Sequence, residues 1–161
     1  MHIKFPIVYI GIAPAGSGKT TFFNNMFNGF KYTYISADAL RKEVTGDASS
    51  QEKNYEVFKL LFNRFLEAIA KKDEIIIIDN TSLTYKDRKK FYDIVEQSGL
   101  TIGETCYIKL VVFKTSYNEC VKRNNSRERR VPEEVILKQF NKLELPNDWE
   151  RINCNIVYIG E

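Results

Sequence analysis

Apolar residues follow two alternating rhythms along this chain. Short apolar runs at Ile7–Ile12 and Ile75–Ile78 have the length and branching of buried strands, and Tyr32–Ile35 and Tyr107–Phe113 read as two more. Between them the spacing lengthens. A helix is expected over 21–27, closed near Asn28-Gly29. Ser36 suits the N-cap of a short helix carrying Asp38, Leu40, Arg41 and Val44, which Gly46 ends. From Gln51 to Lys72, Tyr55, Phe58, Phe62, Phe65 and Ile69 recur at steps of three and four, one face of a long amphipathic helix. A further helix from about Tyr85 to Gln97 turns Phe91, Ile94 and Val95 inward and stops at Gly99. Ser116 to Glu119 reads as a capping box opening a helix that runs into a basic segment. Pro132 begins another, through Asn141, with Glu133 and Glu134 at its positive end, and Asn155–Ile159 reads as a last strand.

Strands alternating with helices, several of them apolar throughout, predict an α/β class: a mostly parallel sheet of about five strands with helices on both faces. No repeat, low-complexity tract or linker divides the sequence, so a single domain over 1–161 is expected. Composition adds exclusions. With 43% hydrophobic and 28% charged residues the chain is not of disordered type. No apolar run approaches the ~20 residues of a membrane span, and Lys4 and Pro6 break the N-terminal stretch a signal peptide needs, so the expected location is cytoplasmic. Cys106, Cys120 and Cys154 are odd in number and widely spaced, which suits buried reduced thiols better than disulfides or zinc ligands. The single histidine, His2, excludes zinc–histidine centres and Ser-His-Asp triads, leaving acid–base chemistry to carboxylates, Lys, Tyr or Cys.

The densest chemical signal is Ala13-Pro14-Ala15-Gly16-Ser17-Gly18-Lys19-Thr20, between an expected strand and an expected helix. It fits the phosphate-loop pattern G-x-x-x-x-G-K-[ST] except that Ala13 stands at the first glycine, where a small residue with negative φ serves. Loop N–H groups at a helix N-terminus favour phosphate oxygens. Ala15, Gly16, Ser17, Gly18, Lys19, Thr20 and Thr21 are therefore the candidate nucleotide-binding residues, with Lys19 reaching the β/γ-phosphates and Thr20 binding Mg²⁺. Asp79 ends an apolar strand, where a carboxylate either reaches a Mg²⁺ shell or caps a turn. Asp38 and Arg41, three apart, share a helix face; they form either a surface pair or a proton acceptor beside a phosphate-holding guanidinium. The net charge of +3 is small, but Lys122, Arg123, Arg127, Arg129 and Arg130 are opposed only by Glu128. Such a run is a solvated face, a nucleic-acid patch, or a lid over about 122–131 that carries arginines to transferring phosphates.

Together these motifs resemble the kinase domain of phage-type polynucleotide 5′-hydroxyl kinases, within the zeta-toxin-like and AAA-type small P-loop kinases. The likeness rests on GSGKT at Gly16–Thr20, S-x-D-x-x-R at Ser36–Arg41, DNT with a later arginine at Asp79–Thr81 and Arg88, and KRN-x-x-R at Lys122–Arg127 followed by Val131-Pro132. Ser82 stands where that family commonly has Asn. The resemblance implies a P-loop kinase fold with an arginine-bearing lid, ATP and Mg²⁺, and a 5′-hydroxyl nucleic-acid acceptor. It further implies Asp38 as general base, Arg41 on the acceptor's phosphate, Asp79 organising the site, and Arg123 and Arg127 on the moving phosphoryl group, with Arg130 a third lid arginine. A kinase for a small hydroxyl acceptor (nucleoside, sugar or antibiotic) and a non-catalytic ATP-binding module share many of these features.

Overall fold

Successive side chains of a strand point to opposite faces of its sheet, and this alternation divides the core in two. The computed structural model describes residues 4–160, so His2 lies outside the described residues. Five strands, β1 (Ile7–Ile12), β2 (Thr33–Ser36), β3 (Ile75–Asp79), β4 (Tyr107–Phe113) and β5 (Asn155–Ile159), form one sheet in the order β2-β3-β1-β4-β5 with every pairing parallel. Val8, Ile10, Ile12, Ile76, Ile78, Leu110 and Val112 face a larger core. Tyr9, Ile77, Val111 and Phe113 face a smaller one on the other side.

The helices are α1 (Lys19–Met26), α2 (Ala37–Thr45), α3 (Asn54–Ala70), α4 (Tyr85–Gln97), α5 (Tyr117–Asn125), α6 (Glu133–Lys142) and α7 (Asp148–Asn153). Phe23 and Phe27 of α1 close the smaller core. Val57, Leu61 and Phe65 of α3, with Phe91 and Val95 of α4, close the larger. Helices thus cover both faces, and the loops after β1, β2 and β3 emerge together at the carboxyl edge, the usual ligand side of an open parallel sheet.

Three expectations need correction. The long helix starts at Asn54 rather than Gln51, which leaves Tyr55 in the first turn and 76% exposed; the inward face is Val57-Leu61-Phe65-Ala68. Helix α1 begins at Lys19, two residues earlier than expected. Ser116 does accept from the Glu119 N–H, but the Glu119 carboxylate turns to Arg123 instead of closing the box. Helix α7, which the apolar spacing did not signal, is held by a reciprocal box between Asn147 and Glu150. The three cysteines are free and buried. Burial pushes the thiols of Cys106 and Cys154 up to about 12, which leaves them inert at neutral pH.

Candidate active site

The phosphate loop is built from the end of β1 to the start of α1. Ala13 is fully buried and not left-handed, so the substitution for glycine costs nothing there. Gly16 is different: its φ is +81°, and a Cβ would come within 2.5 Å of the Cys120 carbonyl oxygen, so no side chain fits. The Ser17 carbonyl is held from behind by Thr115 Oγ1 at 3.0 Å and Arg123 Nη1 at 3.1 Å. Because a trans peptide sets its C=O and N–H on opposite sides, this anchoring aims the Gly18 N–H into the loop. Ser17 Oγ is buried without a partner, an orphan polar atom in the cradle that a phosphate oxygen would satisfy. Lys19 Nζ donates to the carbonyls of Ala13 (2.9 Å) and Pro14 (3.4 Å). Ala15 N–H donates to Gln139 Oε1 at 2.8 Å. Thr21 is exposed on the first turn of α1.

Asp79, at the end of β3, meets this loop. Its Oδ2 accepts from Thr20 Oγ1 at 2.6 Å and from the Tyr34 hydroxyl of β2. Burial, and then the Asp79 carboxylate, push the Tyr34 pKa far above the ordinary phenol range, so Tyr34 stays a proton donor. Tyr34 was not among the sequence candidates, since nothing local marks a strand tyrosine as a partner for an acid 45 residues away. The donor set suits Mg²⁺. A hydroxyl that donates to a carboxylate keeps a lone pair for the ion, and Mg²⁺ takes one or two protein oxygens with water and phosphate completing the shell. Among the described residues no cluster of three or more His, Cys, Asp or Glu offers a larger cage.

Asp38 lies in the first turn of α2, whose N-cap is Ser36. Each of its oxygens meets a guanidinium: Arg41 Nη1 at 2.9 Å on Oδ1 and Arg129 Nη2 at 2.6 Å on Oδ2. Arg41 is nearly buried and is fixed further by Asn54 Oδ1. Arg129 also donates to the Ala48 carbonyl at 3.3 Å, tying the segment between α5 and α6 to the loop after α2. Arg129 thus reaches Asp38, while Arg130, the third lid arginine that the resemblance implies, contacts the Arg127 carbonyl through Nε at 3.4 Å. Four arginines in eight positions gave no signal for which would pair with Asp38. Arg123 sits on α5 against the loop, and Arg127 is exposed without a side-chain bond to the described residues.

The segment after Asp79 is held from below. Arg88 and Glu150 are both 0% exposed and pair through two bonds, Nε–Oε1 at 2.6 Å and Nη2–Oε2 at 3.0 Å. Arg88 Nη1 also donates to the carbonyls of Ser82, Leu83 and Glu144, at 3.0, 3.1 and 3.1 Å. Ser82 has φ +46°, the left-handed region that non-glycine residues other than Asn and Asp rarely adopt. Thr81 O accepts from Ala13 N–H at 3.2 Å, so the clamp on this segment reaches the phosphate loop.

Burial lowers the Lys19 pKa from the ordinary 10.5, and the charges of Asp79 and Asp38 oppose the fall. A base lowered in the folded chain loses its proton there before it does in the unfolded chain. Its destabilisation is therefore full below the lowered value and is relieved as pH rises through that value toward 10.5. Phosphates select the charged amine, so nucleotide affinity should fall over that same window, by up to about tenfold per pH unit. Calorimetric titrations of wild type and Lys19→Met across the window check this; parallel profiles would rule Lys19 out as the titrating group.

The comparisons agree with this architecture. A family model described as an AAA domain matches residues 7–146. No curated protein matches the chain by sequence. Among solved structures, the Pnkp1/Rnl/Hen1 RNA repair complex is similar at 23% identity and TM-score 0.66, over 89% of this chain and 45% of that one, so this chain spans less than half of it. A fungal RNA kinase is 18% identical with TM-score 0.68, over 99% of this chain and 76% of that one. A gluconokinase from Sinorhizobium meliloti 1021 is 17% identical with TM-score 0.61, over 98% and 85%. At these identities the likeness is one of fold: a five-stranded parallel α/β sheet of the P-loop kinase type. Among the described residues no helix is long and apolar enough to cross a membrane.

Proposed function

The chain belongs to the AAA domain family, and on that footing we propose that it is an ATP-dependent phosphotransferase that moves the γ-phosphoryl group to the 5′-hydroxyl end of DNA or RNA. One observation carries this reading. Asp38, in the first turn of α2 at the carboxyl edge where the phosphate loop also emerges, carries a guanidinium on each oxygen, from Arg41 and from Arg129, which supports reading it as a proton acceptor beside anion-holding groups.

The loop N–H groups and Lys19 orient the triphosphate. The acceptor hydroxyl gives its proton to Asp38 as its oxygen bonds to the γ-phosphorus, and the bond from that phosphorus to the bridging oxygen breaks in line, releasing ADP. Positioning and charge stabilisation supply most of the rate in such transfers. Thr20 and Asp79 would hold Mg²⁺, which neutralises phosphate charge when bound. Arg41 would take the phosphate next to the attacked hydroxyl. Arg127 would close over the donor from the lid, while Arg123 would act through the Ser17 carbonyl of the loop that it holds.

Asp38→Ala should abolish transfer to a 5′-hydroxyl oligonucleotide, a loss of about 10²–10⁴ in rate, and leave ATP affinity nearly unchanged by calorimetry. Equal loss of ATP binding would refute the base role. A second reading, a kinase for a small hydroxyl acceptor, is supported by the gluconokinase likeness over nearly the whole chain. Labelled-ATP transfer to oligonucleotides, 3′-nucleotides, nucleosides and sugars separates the two readings. A nucleic-acid acceptor should also show affinity that falls steeply with salt.

A further inference from the structure

Gln139 has no part in the mechanism above, yet its side chain touches the phosphate loop. Its Oε1 lies 2.8 Å from the Ala15 nitrogen, where a phosphate oxygen would accept from the same N–H. The contact spans 124 residues of sequence and is imposed by the seating of α6. Ile136, one turn earlier, is fully buried. Phe140 meets Tyr117 of α5 edge-on, with ring centroids 5.6 Å apart at 89°, and the Tyr117 hydroxyl donates to Glu133 at 2.8 Å. These contacts fix the rotation of α6 and leave Gln139 facing the loop.

We propose that Gln139 is a donor-site residue whose carboxamide turns to give an Nε2–H bond to the terminal phosphoryl of ATP. The side-chain chemistry supports the choice. A carboxamide carries an acceptor and two donors on one rotatable group, so it serves the loop N–H through oxygen and a phosphate through nitrogen. Lys could not accept from Ala15, and Glu would set a negative charge against the phosphates. The assignment to the terminal phosphoryl follows from position. The N–H groups nearest the α1 N-terminus take the inner phosphates, and Ala15 stands four residues before that helix begins.

The inference rests only on the nucleotide-binding half of the proposed function, so its test uses no acceptor. Affinities of ATP and ADP, each with Mg²⁺, are measured by calorimetry for wild type, Gln139→Leu and Gln139→Glu, and thermal unfolding verifies that the variants fold. Gln139→Leu should weaken ATP about tenfold, the worth of a hydrogen bond to a charged group, and ADP less than about twofold. Gln139→Glu is the sharper arm. It keeps an oxygen for the Ala15 N–H, so a purely structural tie would survive it, whereas a phosphoryl contact should lose more ATP affinity than with Leu. ATP affinity unchanged in the Glu variant, or ATP and ADP weakened equally in both variants, would overturn the proposal. A wild-type chain that binds ATP but phosphorylates none of the acceptors would count against the proposed reaction and leave this result interpretable.

Discussion

Glu150→Ala should lower the free energy of unfolding by about 3–5 kcal/mol, because it leaves Arg88 charged and unpaired in a site closed to water. Arg88 would keep its three carbonyl partners and lose both carboxylate bonds. Tyr92, whose hydroxyl donates to Glu150 at 2.7 Å, and the Asn147 N–H would lose their acceptor as well. Urea denaturation measures the loss, and Arg88→Met combined with Glu150→Leu should recover only the part due to the unpaired guanidinium, since the carbonyls of Ser82, Leu83 and Glu144, the Tyr92 hydroxyl and the Asn147 N–H still lose their partners. A Glu150→Ala chain as stable as wild type would show that water reaches the guanidinium. Acid should reproduce part of the effect. Burial alone would raise the Glu150 pKa, but bonds from Arg88, Tyr92 and the Asn147 N–H outweigh it and leave the value below the ordinary 4.5. A lowered acid contributes stability that is present above 4.5 and lost as pH falls through the lowered value, so the acid limb of unfolding should move toward neutral when the network is removed.

The second large effect is catalytic. Arg127→Ala should reduce kcat by about 10³-fold or more, the range for an arginine that stabilises a transferring phosphoryl group, while ATP affinity stays within a few-fold. Arg127 is exposed and without a side-chain bond to the described residues, yet its charge acts on Lys19. An exposed cation whose charge is felt at the phosphate-binding amine suits a group that engages only as charge develops. Arg123 should behave differently. It is bonded to the Ser17 carbonyl and to Glu119, so Arg123→Ala should disturb the loop and weaken ATP binding together with turnover. Single-turnover rates and ATP titrations on both variants test the contrast, and equal effects on binding and rate in the two would refute it.

What could be read from the sequence was local. The phosphate loop is contiguous, and the inner strands announce themselves as apolar runs. Asp38 and Arg41 are neighbours by helical spacing and do pair. What escaped was set by contacts between distant segments. Tyr34 reaches Asp79 across 45 residues and Arg129 reaches Asp38 across 91, and no periodicity encodes either pairing. Tyr55 fitted the three-and-four spacing as an aromatic, but helix phase is set by the core, and the core runs through Val57 and Leu61. Helix α7 has six residues, too few for a period, although the Asn147-Asp148-Trp149-Glu150 cap signature was there to be found. Arg88 was noticed as a motif arginine, but its buried partner lies 62 residues on, in that short helix.

The bonds that shape the phosphate loop also determine when it can exist. Thr20 is tied to Asp79 across 59 residues, Ser17 to Arg123 across 106, and Ala15 to Gln139 across 124. Contacts so distant along the chain form late, after the entropy of closing long loops has been overcome. A folding intermediate with only β1 and α1 in place would carry the whole motif and still lack the scaffold that aims it. Nucleotide should therefore bind the completed fold and not its precursors, and ATP should raise the unfolding midpoint with the logarithm of its concentration over its Kd for the native state.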